Sequence, residues 1–152
     1  PRGKGNTLFA SQYESYKKLP EEYKKKIENL KAVFSADGPI SKTRNSRLAE
    51  KGTGIDPKTM FAIHPIVKEN RNNKKKSIYL SPGHVTKIVD MGEEESKILL
   101  DYLFQHQSKP EFIYGFEWEP NCLAIWSNHV MLHNPANDFT GIHRVMHRIT
   151  IQ

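Results

Sequence analysis

The sequence has few of the features that mark secreted or membrane proteins. Its single cysteine, Cys122, excludes an intramolecular disulfide. It contains no apolar run of about eighteen residues, so it predicts no transmembrane helix. The start Pro1-Arg2-Gly3-Lys4 lacks the apolar core of a secretory signal. These absences predict a soluble cytoplasmic protein with no membrane partner.

Common catalytic and ligand-binding templates are also absent. There is no cysteine pair for zinc, no glycine-rich phosphate loop and no serine in a nucleophile elbow. Cys122 opens an apolar stretch with no base beside it, which predicts a packed thiol rather than a nucleophile. The chain does not begin with Met, and residues 7–10 already have the pattern of a strand. We therefore expect further sequence upstream of Pro1.

Composition indicates one globular domain over residues 1–152. The chain is 37% hydrophobic and 26% charged, which separates it from disordered chains. Its 23 Lys and Arg against 17 Asp and Glu give a net charge of +6, a balance that favours anionic partners. Much of the surplus lies in two clusters, 24–26 and 71–76, which are typical of solvated faces. Nucleic acid is therefore not the expected partner.

Three helices are predicted from capping signals and apolar spacing. Ser11 followed by Glu14 is a capping box that begins a short helix. Pro20 opens a second helix that extends to Leu30. Residues 93–107 form the third, with apolar residues at i,i+4 spacing that must pack on a sheet.

Strand patterns dominate elsewhere. Segments 61–67 and 77–80 flank an asparagine-rich turn and predict a hairpin. Further strands are expected at 112–118, 123–126 and 144–151, whereas 35–59 predicts a loop. Short strands outnumber helices and no βαβ rhythm is present. The fold class is therefore mostly β with flanking helices, and a jelly roll fits best.

Histidines are the remaining candidates for chemistry, with four of the seven near the end: His129, His133, His143 and His147. Imidazole is the commonest metal-binding side chain, so His133 is a candidate ligand. The alternative, a histidine that is exposed or hydrogen-bonded within the fold, stays open.

Two arginines share one face of the predicted last strand. Side chains alternate along a strand, so Arg144 and Arg148 point the same way. On an inner barrel face each guanidinium would need an anion such as a carboxylate or a sulfonate. On an outer face both would simply be solvated, and the sequence does not choose between the two faces.

The combined motifs resemble the C-terminal half of the taurine dioxygenase family. They include His64-Pro65-Ile66-Val67, Ile78-Tyr79-Leu80, Ala124-Ile125-Trp126, Asn128, His133 and Arg144-Val145-Met146-His147-Arg148. The resemblance reaches back to Gly5-Asn6-Thr7 and covers nearly the whole chain.

The resemblance implies a double-stranded β-helix, a jelly roll, of which residues 1–152 are the C-terminal portion and which would be incomplete alone. It also implies a dioxygenase that uses Fe(II), 2-oxoglutarate and O₂ to hydroxylate a small anionic, taurine-like substrate, either a sulfonate or a carboxylate.

Individual roles follow from the same resemblance. His133 would be the distal histidine ligand of the iron, and Arg144 would grip the far carboxylate of 2-oxoglutarate. Thr7 would add a hydroxyl to that carboxylate, and Arg148 would face the anionic head of the substrate. His84 occupies a substrate-side position where taurine-using relatives tend to have an aromatic residue, which puts taurine itself in doubt.

One family motif is missing. No histidine is followed two residues later by Asp or Glu, so the His-x-Asp/Glu pair of iron ligands is absent. In the family that pair precedes the position of Thr7, and here it would fall before Pro1. Either the chain is a truncated piece, which we favour, or the protein has lost its iron site.

Other readings remain open at this stage. One is an inactive fragment or pseudoenzyme without the iron site, and another is a basic nucleic-acid-binding module. A barrel with exposed strand edges would associate with itself, so we also expect a homo-oligomer.

Overall fold

The computed structural model describes residues 3–39, 59–141 and 145–151. Its elements in chain order are β1 (Thr7–Ser11), α1 (Gln12–Lys17), α2 (Glu21–Ile27), β2 (Lys31–Ser35), β3 (Phe61–Pro65), β4 (Val67–Glu69), β5 (Lys76–Ile78), β6 (Val85–Ile88), α3 (Glu93–Gln107), β7 (Ile113–Phe116) and β8 (Met131–Pro135). A 3₁₀ turn, Pro110–Phe112, leads into β7. Strands outnumber helices among these residues, as the sequence predicts.

The strands form two antiparallel sheets and a ribbon. In the first sheet β1 lies between β7 and β8, and in the second β2 lies between β3 and β6. The ribbon pairs β4 with β5. In the first sheet Thr7 lies opposite Phe116 on one side and Pro135 on the other. The opening strand is therefore held between strands from the end of the chain.

The helices begin where their capping signals indicate. The Ser11 side chain accepts a hydrogen bond from the Glu14 backbone N–H, which confirms the predicted cap of α1. Pro20 is the N-cap of α2 rather than its first helical residue, so the helix begins one residue later than predicted, and it ends at Ile27 instead of Leu30. Helix α3 has the predicted bounds, and Leu99, Leu100 and Leu103 on it are buried.

The core lies between α3 and the second sheet. Its buried residues come from α2, α3, β2, β5, β6 and the segments between elements, and they include Leu19, Ile27, Ala32, Ile66, Ile78, Leu80, Val85, Ile88 and the three leucines of α3. The Ser96 hydroxyl oxygen accepts a hydrogen bond from the Ile88 backbone N–H at 2.8 Å. This contact satisfies a buried donor at the point where α3 meets β6.

The predicted hairpin is present in a shorter form. Strand β3 pairs with β2, whereas β4 and β5 form the hairpin itself. Asn70 Oδ1 accepts from the backbone N–H groups of Asn72 and Asn73, and Lys74 has a positive φ of 57°. Asparagine chemistry therefore makes the turn, as predicted.

Two predicted strands are not formed. Residues 122–127 and 145–151 contain no strand, since no described segment pairs with them. Their apolar side chains are largely exposed: Leu123 is 82% exposed, Ile125 84%, Ile149 89% and Ile151 87%. Alternating apolar residues are not sufficient without a hydrogen-bonding partner strand.

The thiol prediction is also wrong. Cys122 is free and exposed, and the stretch that it opens forms no strand.

The predicted loop is only partly described, because residues 40–58 lie outside the described ranges. No helix in the described part of the chain is long and apolar enough to cross a membrane.

Candidate active site

Strand β1 carries the first predicted site residue, Thr7. As the middle strand of its sheet, β1 has neighbours on both edges, and alternate residues Thr7 and Phe9 are buried. Only 6% of the Thr7 surface is exposed to solvent. Its hydroxyl is thus held in a largely dry position on one face of the sheet.

Trp118 forms a hydrogen bond with that hydroxyl and so determines which group the hydroxyl can still bind. The indole Nε1–H of Trp118 donates a hydrogen bond to Thr7 Oγ1 at 2.9 Å. An indole nitrogen is a donor only, whereas a hydroxyl has one proton and two acceptor lone pairs. Because Trp118 occupies a lone pair, the Thr7 proton remains available for donation to another group.

His133 lies in the neighbouring strand β8, directly opposite Phe9 of β1. Opposed residues of antiparallel strands share a face, so His133 is on the Thr7 face of the sheet. Its ring centroid is 5.1 Å from that of Trp126 and 6.4 Å from that of Phe9. Two aromatic rings therefore shield one side of the imidazole.

Burial and a nearby cation favour neutral His133. Desolvation is the larger cause that lowers the pKa of His133 below its ordinary value, and the charge of Arg148 lowers it further. A neutral imidazole has a free nitrogen lone pair that can accept a proton or bind a metal. Arg148 thus acts on His133 electrostatically, although residues 145–151 do not form the predicted strand.

His84 belongs to a different part of the surface. It lines a cavity of about 370 Å³ together with Phe34, Met60 and Phe61. Its Nδ1 atom is 2.9 Å from Ser81 Oγ, and its backbone oxygen accepts from the Ser35 N–H. None of the described residues lining this cavity is one of the other predicted site residues.

The structure places Thr7 and His133 on one face of the first sheet, and Arg148 close enough to His133 to lower its pKa. His84 is not in their described contacts, and Arg144 lies outside the described residues. Sequence reasoning missed Trp118 altogether. The separation of 111 residues between Trp118 and Thr7 is too large for any local spacing rule to reveal the contact.

The described residues do not by themselves fit an iron centre. Within ranges 3–39, 59–141 and 145–151, no group of three or more His, Cys, Asp or Glu side chains is placed to hold a metal ion. His133 offers one imidazole, whereas the two-histidine, one-carboxylate set needs three ligands. The Thr7 hydroxyl, by contrast, suits a carboxylate acceptor.

Solved structures share this arrangement of strands. A taurine dioxygenase from Burkholderia xenovorans superposes with a TM-score of 0.76 at 24% identity, over 93% of this chain and 44% of that chain. AAD-2, solved in complex with Mn(II) and N-oxalylglycine, gives a TM-score of 0.72 at 27% identity, over 95% of this chain and 56% of that chain.

Sequence relatives point the same way. Pentalenolactone F synthase of Streptomyces arenae is 27% identical over 97% of this chain and 52% of its own length. The alpha-ketoglutarate-dependent sulfonate dioxygenase of Saccharomyces cerevisiae is 31% identical over the whole of this chain and 36% of its own length. The chain thus spans about half or less of the length of these relatives.

The profile of one family extends over nearly the whole sequence, from residue 1 to residue 150. That extent includes Thr7 and His133 of the first sheet, and also Trp118 and Arg148. The chain belongs to the taurine catabolism dioxygenase TauD, TfdA family.

Proposed function

We propose that the protein is an Fe(II)- and 2-oxoglutarate-dependent dioxygenase that hydroxylates a small anionic substrate with O₂. The observation that carries the proposal is the shared face of β1 and β8, where the Thr7 hydroxyl and the His133 imidazole lie on paired strands. In such an enzyme the metal and 2-oxoglutarate supply the oxidising chemistry, and the side chains bind and orient the reactants. The two sheets are then part of a double-stranded β-helix.

Each residue has a defined task in this proposal. Thr7 donates its free hydroxyl proton to the distal carboxylate of 2-oxoglutarate, and Arg144 grips the same carboxylate through a guanidinium fork. His133, whose pKa is lowered by burial and by Arg148, would offer its nitrogen lone pair as one ligand of the metal. His84, in its separate cavity, is a substrate-side residue only if a longer substrate reaches that cavity.

The substrate class follows from Arg148. Arg148 is exposed and close enough to lower the pKa of His133, and its guanidinium fork suits a carboxylate or a sulfonate. The yeast relative is named for sulfonates, which supports a sulfonate or carboxylate head at Arg148. We place this activity in the cytoplasm and expect the protein to act as a homo-oligomer.

Anaerobic calorimetric titration of 2-oxoglutarate tests the proposal. Thr7→Val keeps the shape of the side chain but removes the hydroxyl, and it should weaken 2-oxoglutarate binding about fivefold or more, since a hydrogen bond to a charged group is lost. Thr7→Ser keeps the hydroxyl and is the matched control, with affinity near that of the wild-type protein. If the wild-type protein does not bind 2-oxoglutarate, or if Thr7→Val binds it equally well, the proposal is wrong.

A further inference from the structure

A second cavity lies apart from the Thr7 and His133 face. It has a volume of about 530 Å³ and lies between the β4–β5 hairpin and the turn that precedes β8. We call it the Lys68 pocket, after one of its lining residues, and its lining includes Lys68, Glu69, Arg71, Ser127 and His129. Its volume is typical of a site for a small organic molecule rather than for a bare ion.

Lys68 is held in this pocket without a carboxylate. Its Nζ atom lies 3.4 Å from the centroid of the Tyr79 ring, a close cation–π contact. The side chain is half-buried, and burial lowers the pKa of its ammonium group. Among the described residues no Asp or Glu forms an ion pair with Lys68, although seven ion pairs are formed by other lysines.

An aromatic frame fixes the position of the charge. The His129 ring stacks on Tyr79 with centroids 6.0 Å apart, and the His64 ring meets Tyr79 edge-on at 5.5 Å. Burial, then Lys68 and then His129 lower the pKa of His64. Several groups that can carry positive charge are therefore gathered around one ring.

The surrounding acidic residue does not compensate this charge. Glu69 also lines the pocket, but its Oε1 atom is 3.9 Å from Lys74 Nζ in an exposed pair. Arg71 adds a second permanent positive charge to the lining. The pocket as a whole thus has an excess of positive charge.

A hydrogen-bond donor is available beside the charges. Ser127 Oγ accepts a hydrogen bond from the His129 backbone N–H at 3.4 Å, which leaves the hydroxyl proton free. A ligand in this pocket would thus meet two cations and one neutral donor. That combination is suited to an oxyanion with several acceptor atoms.

We propose that the Lys68 pocket binds a small organic anion with a sulfonate or carboxylate head, held by Lys68 and Arg71 and oriented by the Ser127 hydroxyl. The anion supplies the negative charge that Lys68 lacks among its described neighbours. The pocket includes neither Thr7, His133 nor Arg148, so this proposal does not depend on the proposed dioxygenase activity.

Titration with methanesulfonate and with acetate, at constant ionic strength balanced by chloride, tests the site. The readout is the NMR shift of the His129 and His64 ring protons, whose rings contact Tyr79. Saturable shifts are expected in the wild-type protein. In Lys68→Gln the affinity should fall about tenfold or more, because a charge-assisted contact is lost.

Three further variants make the test decisive. Lys25→Gln removes an exposed lysine of α2 and should leave the affinity unchanged. Lys68→Arg keeps the charge and should retain most of the binding, which separates loss of charge from loss of folding. Arg71 is exposed, so Arg71→Gln should not disturb the fold. This variant should weaken binding, and it tests the pocket independently of whether Lys68→Gln folds. Shifts that never saturate, or equal affinity in Lys68→Gln and wild type, would overturn the proposal.

Discussion

The hydrogen bond between Trp118 and Thr7 makes the indole a positioning group for the hydroxyl. With its acceptor site occupied at 2.9 Å, the Thr7 hydroxyl can rotate only so as to keep that bond while donating elsewhere. The strand alone fixes the Thr7 backbone, but the direction of its proton depends on a residue that comes after β7. Trp118 therefore belongs with Thr7 in any account of 2-oxoglutarate binding.

We expect Trp118→Phe to weaken 2-oxoglutarate binding by about two- to tenfold, because one hydrogen bond to the hydroxyl is lost while the ring is retained. Calorimetry under anaerobic conditions gives the affinity. The double variant Thr7→Val with Trp118→Phe should be no weaker than Thr7→Val alone, since both changes remove the same oriented proton. Additive losses would show that Trp118 acts by another route.

His64 should make the folded protein sensitive to acid. Its pKa lies below the ordinary value of 6.5, first because of burial and then because of Lys68 and His129. The unfolded chain then binds a proton more readily, so this contribution to stability is present above about pH 6.5. It is lost as the pH falls from there through the lower pKa of the folded state.

Lys68→Met should raise the pKa of His64 towards 6.5, although burial keeps it from returning fully. NMR titration of the His64 ring proton measures the change, and Lys25→Gln serves as the control that should leave it in place. An unchanged or lower pKa of His64 in Lys68→Met would contradict the expectation.

At the scale of elements, a close backbone approach joins the end of β2 to the turn before β6. A Cβ atom at Gly38 would lie 2.8 Å from the Gly83 backbone oxygen and 3.0 Å from His84 Cα. Both neighbours are backbone atoms, so neither can turn away as a side chain would. Only a glycine allows this contact, which also holds His84 against its cavity.

Gly38→Ala should lower the free energy of unfolding by about 1–3 kcal/mol, the usual cost of overpacking. Gly115→Ala is the matched control, because its Cβ would be 3.7 Å from Leu8 Cδ2, an ordinary contact. Urea denaturation of both variants measures the difference. Equal stability of the two would show that the turn moves without cost.

Helix α3 stabilises the second sheet through one face. Leu103→Ala should cost about 2–5 kcal/mol of unfolding free energy, because Leu103 is completely buried and its removal leaves a cavity. Ile98 on the same helix is 64% exposed, so Ile98→Ala should change stability by no more than about 0.5 kcal/mol. Thermal or urea unfolding compares the pair, and similar losses would refute this assignment of the helix faces.

Elements whose sequence signals lie within a few residues of each other are the ones that the sequence predicts correctly. The bounds of α3 and the cap at Ser11 follow from apolar spacing and capping within a few residues. Strands β2, β6 and β8 were missed, because their pairing depends on partners far away in the chain. In β2 a register shift between Val33 and Phe34 further obscures the alternation.

The candidate site was predictable from motif resemblance but not from local chemistry. His133 was singled out within a run of histidines, yet its shielding by Trp126 and Phe9 requires the fold. The strands predicted at 123–126 and 144–151 are not observed in the described residues, because an alternating apolar pattern does not supply a partner strand for hydrogen bonding. No local pattern predicts the Lys68 pocket, because its lining combines the β4–β5 hairpin with a turn much later in the chain.

For the molecule as a whole, the exposed apolar side chains predict self-association. Leu123, Ile125, Ile149 and Ile151 are each more than 80% exposed, and monomeric proteins seldom leave such groups uncovered together. Sedimentation velocity should show mass that rises with protein concentration. Combined Leu123→Lys and Ile125→Lys substitutions should reduce it, whereas a single monomeric species at all concentrations would contradict the prediction.

The position of β1 between β7 and β8 has a consequence for synthesis on the ribosome. Strand β1 is made before either of its partners, and Thr7 is separated from Trp118 by 111 residues. Until β8 emerges, both edges of β1 are without their native partners, while α1, α2 and the β4–β5 ribbon can already form from nearby residues. Non-local pairing of this kind slows folding and leaves strand edges exposed to aggregation. The nascent chain should therefore depend on chaperones until translation has passed β8.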